Sequence, residues 1–210
     1  MIEFDVIIVG GGAAGLMCAI EAGKRGRRAL VLEKGKTVAG KIRISGGGRC
    51  NFTNIHCTAA NFYSENQHFA KSALKRYGPK DFISLVEKHD IAYHEKTLGQ
   101  LFCDNSANDI IQMLLKECDD VGVVVETDVS VDTVIKKGEK FILETGDQKF
   151  SCASLVIATG GPSIPKMGAT GWGYDVARDF KLKIVDPVPA LVPLTFGEAF
   201  IFDFRKLAGV

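Results

Sequence analysis

The first 33 residues contain the pattern that most restricts how this chain can fold. An apolar run at Phe4–Val9, rich in β-branched residues, leads into the glycine-rich turn Gly10–Gly15. A helical pattern at Ala13–Lys24 and a second apolar run at Arg28–Glu33 follow. A buried strand, a tight turn, a helix and another buried strand form a βαβ unit. This unit predicts the α/β class, with a parallel sheet covered by helices.

The glycine turn has the form G-x-G-x-x-G, between a predicted strand and a predicted helix. That context is typical of dinucleotide-binding folds. Gly10 permits the tight turn after the strand. Gly12 has no side chain, so a diphosphate can approach the backbone, and Gly15 lets the helix pack closely on the strand. A glycine turn of purely structural importance is the alternative interpretation.

The start of the first helix and the end of the second strand add two expected contacts to a dinucleotide. Unpaired backbone N–H groups at Ala13 and Ala14 attract the negative diphosphate, and the helix dipole adds to this attraction. Glu33, about 20 residues beyond the turn, can accept hydrogen bonds from ribose hydroxyls. FAD and NAD share this pattern, so these residues alone leave the choice of cofactor open.

The rest of the chain is predicted to contain further helices and strands and one long loop. Gly35–Asn54 contains five glycines and is expected to be an irregular, functional loop. Periodicity and capping residues predict helices at 67–77, from Pro79, from Ser106 and at 171–181. Apolar runs predict a strand at 123–126, a meander at 129–135, 141–145 and 150–152, and a buried strand at 155–158. The expected architecture has three layers, with a parallel sheet and an antiparallel β-meander.

Charge and cysteine content limit the partners and the location that we expect. The chain has 26 Lys and Arg against 25 Asp and Glu, a net charge of +1, which argues against nucleic acid and membrane partners. The six cysteines contain no C-x-x-C pair, and no metal-ligand cluster is evident in the sequence. The N-terminus has no basic leader and no long apolar span, so we expect a cytoplasmic protein with reduced thiols.

Three further motifs, of which the first is far more specific than the glycine turn, carry a resemblance to a known family. They are Lys41–Asn54 (KIRISGGGRCNFTN), Gly99–Phe102 (GQLF) and Gly160–Tyr174 (GGPSIPKMGATGWGY). With them the chain resembles, over essentially all 210 residues, the HI0933-like flavoprotein family, also called the BaiN-like or aminoacetone-oxidase-like FAD-dependent oxidoreductases. The resemblance implies a Rossmann-type FAD-binding domain with FAD as the cofactor.

The resemblance also implies where the flavin lies. The stretch 45–51 is expected to run beside the flavin ring, where its backbone N–H groups can bond the flavin carbonyls. A glycine-rich surface loop is the alternative. Cys50 is a candidate redox thiol, but it has no partner at useful spacing, which favours a small packing residue. His94 and Arg49 are the candidates for a catalytic role. The expected cofactor-binding residues are Gly10, Gly12, Ala13, Ala14, Gly15, Glu33, Lys34, Lys41, Ser45, Gly46, Gly47, Arg49, Cys50, Asn51, Val129, Thr159 and Gly160.

The family resemblance also predicts a domain boundary. Family members are expected to be longer, with a substrate-side domain inserted into the FAD domain and a later Gly-Gly-Tyr-Asn segment, which does not occur here. We therefore expect residues 1–195 to form an incomplete FAD-binding domain and residues 196–210 to begin a second domain. The expected partners are a small-molecule substrate and either a second copy or a complementing C-terminal half.

The leading hypothesis is an FAD-dependent oxidoreductase that transfers hydride between a small organic substrate and flavin N5. Some relatives are expected to run the reverse reaction, as reductases of conjugated double bonds. A non-catalytic FAD- or nucleotide-binding fragment is the first alternative. A tRNA-modifying flavoprotein and an NAD-linked dehydrogenase are the others.

Overall fold

The structure, a computed structural model, describes residues 1–189 of the chain. Its strands are β1 (Ile2–Val9), β2 (Ala29–Glu33), β3 (Asn51–Asn54), β4 (Tyr93–Glu95), β5 (Gln100–Cys103), β6 (Val124–Thr127), β7 (Thr133–Lys137), β8 (Lys140–Thr145) and β9 (Gln148–Ile157). Its helices are α1 (Ala13–Lys24), α2 (Gly40–Ile44), α3 (Lys71–Arg76), α4 (Pro79–Lys88), α5 (Ala107–Asp120) and α6 (Trp172–Asp179).

A six-stranded sheet with the order β6-β2-β1-β9-β8-β7 forms the centre of the fold. Neighbours among β6, β2, β1 and β9 are parallel, whereas β8 and β7 extend the sheet as antiparallel strands. The chain passes from β1 to β2 on one side and later returns to β9 on the other, so the strand order reverses between β1 and β9. In open α/β sheets, ligands bind in the crevice at the carboxyl ends of strands beside such a reversal.

Two apolar clusters cover the two faces of this sheet. Ile8 and Val31 belong to a buried cluster with residues of α1 and α5. Their neighbours Ile7 and Leu30 belong to a second cluster, which includes Leu143 of β8. Because successive side chains of a strand point to opposite faces, the two clusters lie on opposite sides of the sheet. The predicted α/β class, with a parallel sheet and an antiparallel meander, is confirmed.

A small three-stranded antiparallel sheet, in the order β3-β5-β4, lies in the part of the chain between β2 and β6. The ring of Phe52 on β3 packs 6.0 Å from Phe82 of α4 and 5.5 Å from Tyr93 of β4, measured between ring centroids. These aromatic contacts join α4 to the small sheet.

Several predicted elements occur at the predicted positions. Helix α1 covers Ala13–Lys24 as predicted. Helix α5 begins after Ser106, whose Oγ accepts a hydrogen bond from the Asn108 N–H at 3.1 Å. The capping residues therefore predicted the start of α5 correctly.

Other predictions were wrong in extent. Gly35–Asn54 is not irregular throughout, because it contains α2, a 3₁₀ turn at Ser45–Gly48 and β3. The predicted helix at 67–77 is only the six-residue α3. The strands predicted separately at 150–152 and 155–158 form one strand, β9. No glycine or proline interrupts residues 148–157, so nothing in the sequence breaks that strand.

Two further expectations concern the domain boundary and membrane association. The predicted second domain at 196–210 lies outside the described residues, and so does the end of the predicted first domain. No helix within residues 1–189 has both the length and the apolar character needed to cross a membrane.

The buried carboxylate of Glu117 on α5 connects the ends of two other helices. Its Oε1 lies 2.5 Å from Lys88 Nζ and 2.8 Å from His89 Nε2 at the end of α4. Its Oε2 lies 3.7 Å from Lys24 Nζ, at the last residue of α1. Burial alone would raise the pKa of Glu117, but the hydrogen bonds from Lys88 and His89 and the nearby lysine charges outweigh burial and lower that pKa to about 2.

Replacing Glu117 with Gln is expected to lower the free energy of unfolding by about 2 kcal/mol at pH 7, because charge-assisted hydrogen bonds are lost at a buried site. The folded-state pKa of Glu117, about 2, lies below the ordinary 4.5. The stabilisation is therefore complete above about pH 4.5 and is lost as the pH falls toward 2. Urea unfolding at several pH values should show the gap between the two proteins narrowing over that interval. Glu139→Gln, in the exposed turn after β7, is the control, and an equal loss there would contradict the prediction.

Candidate functional site

Two glycines of the turn after β1 are required by close backbone contacts. Gly10 has φ +110°, and a Cβ built there would lie 2.5 Å from the Ala158 carbonyl oxygen just beyond β9. A Cβ on Gly15 would lie 1.9 Å from the Gly10 carbonyl oxygen. Neither position can hold a side chain, so these two glycines determine how closely β1, α1 and β9 approach one another.

Gly12 differs, because no heavy atom lies within 4 Å of the Cβ that it lacks. It is the N-cap residue of α1, and it provides no side-chain cap. The first turn of α1 contains no acidic residue, and Ala13 and Ala14 there are exposed. The open space and the exposed helix start suit a diphosphate, which the first N–H groups of a helix bind well. This part of the chain therefore fits the cofactor that the sequence predicts.

Glu33, the last residue of β2, is held by two backbone groups. Its Oε2 accepts a hydrogen bond from the Gly11 N–H at 2.7 Å, and its Oε1 accepts one from the Gly35 N–H at 2.7 Å. Each carboxylate oxygen can accept more than one hydrogen bond, so both oxygens can also accept from a ribose. Lys34, the next residue, is exposed. The two hydrogen bonds thus fix the carboxylate beside the glycine turn.

Val129 was expected to bind the cofactor because related folds place backbone contacts to the adenine at this position, but the Val129 backbone is only partly available. The Val129 N–H donates to the Glu33 carbonyl oxygen at 3.0 Å. Because this N–H already has a partner, the carbonyl is the Val129 backbone group left to meet an adenine. The bond also fixes the segment between β6 and β7 beside the end of β2, and the strand predicted at 129–135 begins only at Thr133.

Lys41 on α2 reaches the loop that follows β9. Its Nζ donates to Ser163 Oγ at 2.9 Å and to the Gly161 carbonyl oxygen at 3.3 Å. Thr159 and Gly160 lie at the start of this loop, and Gly160 adopts the left-handed conformation with φ +74°. Lys41 therefore holds together two segments that the sequence predicted to contact the cofactor.

The 45–51 stretch folds as a tight turn on an aromatic ring. Gly46 and Gly47 have φ +58° and +67°, and a Cβ on Gly46 would lie 2.7 Å from the ring of Phe102. Ser45 Oγ donates to the Ile42 carbonyl oxygen at 2.8 Å. The backbone at Gly46 lies directly against Phe102, whereas a Cβ on Gly47 would meet nothing within 4 Å. One side of the turn is therefore open to a flat ligand.

Cys50 is buried behind this turn. Burial raises the pKa of its thiol, and a hydrogen bond with Ser45 opposes part of that rise. Burial also raises the pKa of Cys103, on β5, to about 12. Both thiols are therefore protonated at neutral pH, which suits packing residues rather than nucleophiles. Arg49 and Asn51, on either side of Cys50, are exposed.

His94 lies on β4 of the small sheet, whereas the glycine turn follows β1 of the six-stranded sheet. Its Nδ1 lies 2.6 Å from Asp104 Oδ1, and its ring stacks on Phe102 with 6.3 Å between centroids and 20° between planes. The His94 ring and the Gly46 backbone thus both lie against Phe102. Within the described residues, no group of three or more His, Cys, Asp or Glu side chains can hold a metal ion.

The fold brings most of the predicted residues into two groups. The glycine turn, Glu33, Val129, Lys41 and the start of the 159–163 loop meet at the carboxyl ends of the strands. The 45–51 stretch forms the second group with Phe102. Sequence reasoning did not identify the supporting residues Gly11, Gly35, Ser163 and Phe102. Each adjoins or belongs to a predicted motif, but only the fold shows its contacts, so the binding roles stay predictions.

A parallel sheet that reverses its strand order beside this glycine turn defines a Rossmann-type FAD-binding α/β fold. The chain belongs to the HI0933-like family, because the sequence profile of the HI0933-like protein Rossmann domain matches residues 4–199. The resemblance seen in the sequence is confirmed.

Three relatives match nearly the whole chain. The ribosomal RNA dihydrouridine synthase of Escherichia coli (strain K12) is 47% identical over 210 residues, 100% of this chain and 52% of that protein. The enzyme of the same name from Haemophilus influenzae is 47% identical, over 97% of this chain and 52% of its own length. The 3-dehydro-bile acid delta(4,6)-reductase of Clostridium scindens is 30% identical, over 97% and 49%. The chain thus spans about half the length of these curated relatives.

Solved structures share the fold at low sequence identity. Glycine oxidase from Geobacillus kaustophilus has a TM-score of 0.51 and 15% identity, covering 87% of this chain and 60% of that one. The 3-ketosteroid-delta4-(5alpha)-dehydrogenase from Rhodococcus jostii RHA1 has a TM-score of 0.52 and 16% identity, covering 77% and 46%. At these identities the likeness concerns the fold alone.

Replacing Gly12 with Ala is expected to leave the fold intact, because the new methyl group meets no protein atom within 4 Å. The methyl group would instead occupy the space expected for the diphosphate, so FAD affinity should fall at least tenfold, about 1.4 kcal/mol. Titration of the apoprotein with FAD, followed by flavin fluorescence, measures the affinity, and the melting temperature without FAD is the control. An unchanged affinity would contradict the assigned diphosphate position.

Replacing Glu33 with Gln is expected to lower both stability and FAD affinity. An amide offers one acceptor oxygen, so its NH₂ group would face either the Gly11 or the Gly35 N–H. The loss should be about 1–3 kcal/mol in the free energy of unfolding, as for a charged hydrogen bond left unmade. Glu126→Gln, on the neighbouring strand β6, is the matched control. The same urea and FAD titrations measure both variants, and equal behaviour would count against the proposed ribose contact.

Proposed function

We propose that this chain is the FAD-binding part of an oxidoreductase that reduces a carbon–carbon double bond of uracil in ribosomal RNA. The observation that carries the proposal is the 47% identity, across the whole chain, with the ribosomal RNA dihydrouridine synthase of Escherichia coli. Dihydrouridine is uridine with two hydrogen atoms added to the double bond of its ring. That saturation is a net hydride and proton transfer, which suits a flavin enzyme.

The residues that would hold FAD lie at the carboxyl ends of the strands. The open backbone at Gly12 and the start of α1 would bind the diphosphate. Glu33, oriented by the Gly11 and Gly35 N–H groups, would accept hydrogen bonds from the ribose. Lys41, held by Ser163, keeps the loop after β9 beside this site. Each of these roles uses an atom that the fold already positions.

The 45–51 stretch would place the flavin ring. Bound FAD supplies a centre that accepts and donates hydride. The open space at Gly47 lets a flat ring approach the backbone, and Phe102 packs against the turn at Gly46. Backbone N–H groups aimed at the ring would stabilise negative charge on it without needing a side chain.

A small conjugated ketone is the second candidate substrate. The 30% identity with 3-dehydro-bile acid delta(4,6)-reductase supports it, because that name also denotes the saturation of a carbon–carbon double bond. It agrees with the small organic substrate predicted from the sequence. The net charge of +1 argued against a nucleic acid, but a net charge does not describe a local surface.

Deletion of the gene that encodes this chain tests the proposal. We expect dihydrouridine to disappear from the ribosomal RNA of the source organism, measured by mass spectrometry of its nucleosides. The wild-type gene should restore the modification, and the Gly12→Ala gene should restore it only poorly. Unchanged dihydrouridine after deletion would overturn the RNA substrate. Reduction of an added conjugated ketone by wild-type extract alone would then favour the second candidate.

A further inference from the structure

Residues 55–80, which run from the end of β3 to the start of α4, carry aromatic rings that the fold leaves in solvent. Tyr63 is 96% exposed, Phe69 81% and Phe62 51%. No residue of this 55–80 segment is buried. Aromatic side chains gain much of their stabilising effect from burial, so exposed rings gathered in one segment indicate a binding surface.

The same segment carries cations without partners. It contains one acidic residue, Glu65, and four basic residues: Lys71, Lys75, Arg76 and Lys80. Within the described residues none of these four takes part in an ion pair, whereas Lys88 and Lys116, for example, each pair with a carboxylate. Lys71 and Lys75 lie one turn apart on α3 and therefore on the same helix face. These charges are free to meet a polyanion.

We propose that the 55–80 segment binds single-stranded RNA, with its rings stacking on bases and its cations contacting phosphates. Single-stranded RNA is recognised by such a combination of aromatic and basic side chains. The inference rests on the proposed function, which makes RNA the substrate. The unpaired cations favour RNA over an apolar protein partner, which would leave them buried without counter-charges.

The position of the segment agrees with this assignment. It follows β3, and the first residue of β3, Asn51, ends the 45–51 stretch expected beside the flavin. Four strand residues cover about 13 Å at 3.3 Å per residue. The segment therefore begins about 13 Å along β3 from the 45–51 stretch.

RNA binding by the whole chain provides the test. Fluorescence anisotropy would follow a labelled single-stranded oligouridylate of about 12 nucleotides, within the usual 4–16 nucleotide site range. Tyr63→Ala with Phe69→Ala should weaken binding at least tenfold, because each stacked base contributes that order of affinity. Lys71→Gln with Lys75→Gln should reduce the slope of log affinity against log salt by about 1.4, since each single-strand phosphate contact contributes about 0.7.

The control variant is Lys136→Gln with Lys137→Gln, which removes two exposed charges from the edge strand β7. Wild-type affinity in both test variants, or an equal loss in the control, would overturn the proposal. The proposal would also be overturned if a second copy of the chain covered the rings and RNA still bound with unchanged affinity. Anisotropy needs no turnover, so binding localised to this segment would stand even if gene deletion left dihydrouridine unchanged. Conversely, if gene deletion abolished dihydrouridine but the variants bound RNA normally, only the proposed RNA-binding surface would be rejected, and the proposed function would stand.

Discussion

The close approach of the glycine turn to the end of β9 is the constraint on which the rest of the site depends. The Gly10 N–H bonds the Leu32 carbonyl oxygen at 2.8 Å, and the Ala158 N–H bonds the Val9 carbonyl oxygen at 2.8 Å. These bonds hold the carboxyl ends of β1, β2 and β9 together. A side chain at Gly10 would force them apart. The start of α1, the Glu33 carboxylate and the loop after β9 therefore meet at one edge of the sheet.

Local signals explain which parts of the fold could be predicted. The strand, turn and helix around Gly10–Gly15 are each encoded by adjacent residues, so the βαβ unit and the α/β class follow from the sequence. The strands β4 and β5 have three and four residues, too few for an alternating pattern to be recognised. They form because each pairs with a strand from elsewhere in the chain. Phe102 of β5, for example, pairs with Asn51 of β3. Such pairing depends on the whole fold.

The residues of the candidate site also divide into those that the local sequence predicts and those whose contacts depend on the whole fold. Glu33 could be predicted from its place after the second strand, but the N–H groups that orient it could not, because they depend on how two turns meet. The Lys41–Ser163 contact joins residues 122 positions apart. Phe102 was recognised as part of a family motif, but its position beneath Gly46 depends on β3 pairing with β5. The sequence therefore indicates which groups carry the chemistry, whereas the fold shows what holds them.

Net charge illustrates why a sum over the chain is a poor guide to partners. Many cations of the described residues are neutralised within the fold, as Lys88 is by Glu117 and Lys116 is by Asp120. Such a pair adds zero to the total of +1, so the total does not show where the charges without partners lie. What attracts a phosphate chain is the local potential of charges without partners. The 55–80 segment has four such cations beside one carboxylate, so a nearly neutral chain is compatible with an RNA-binding surface.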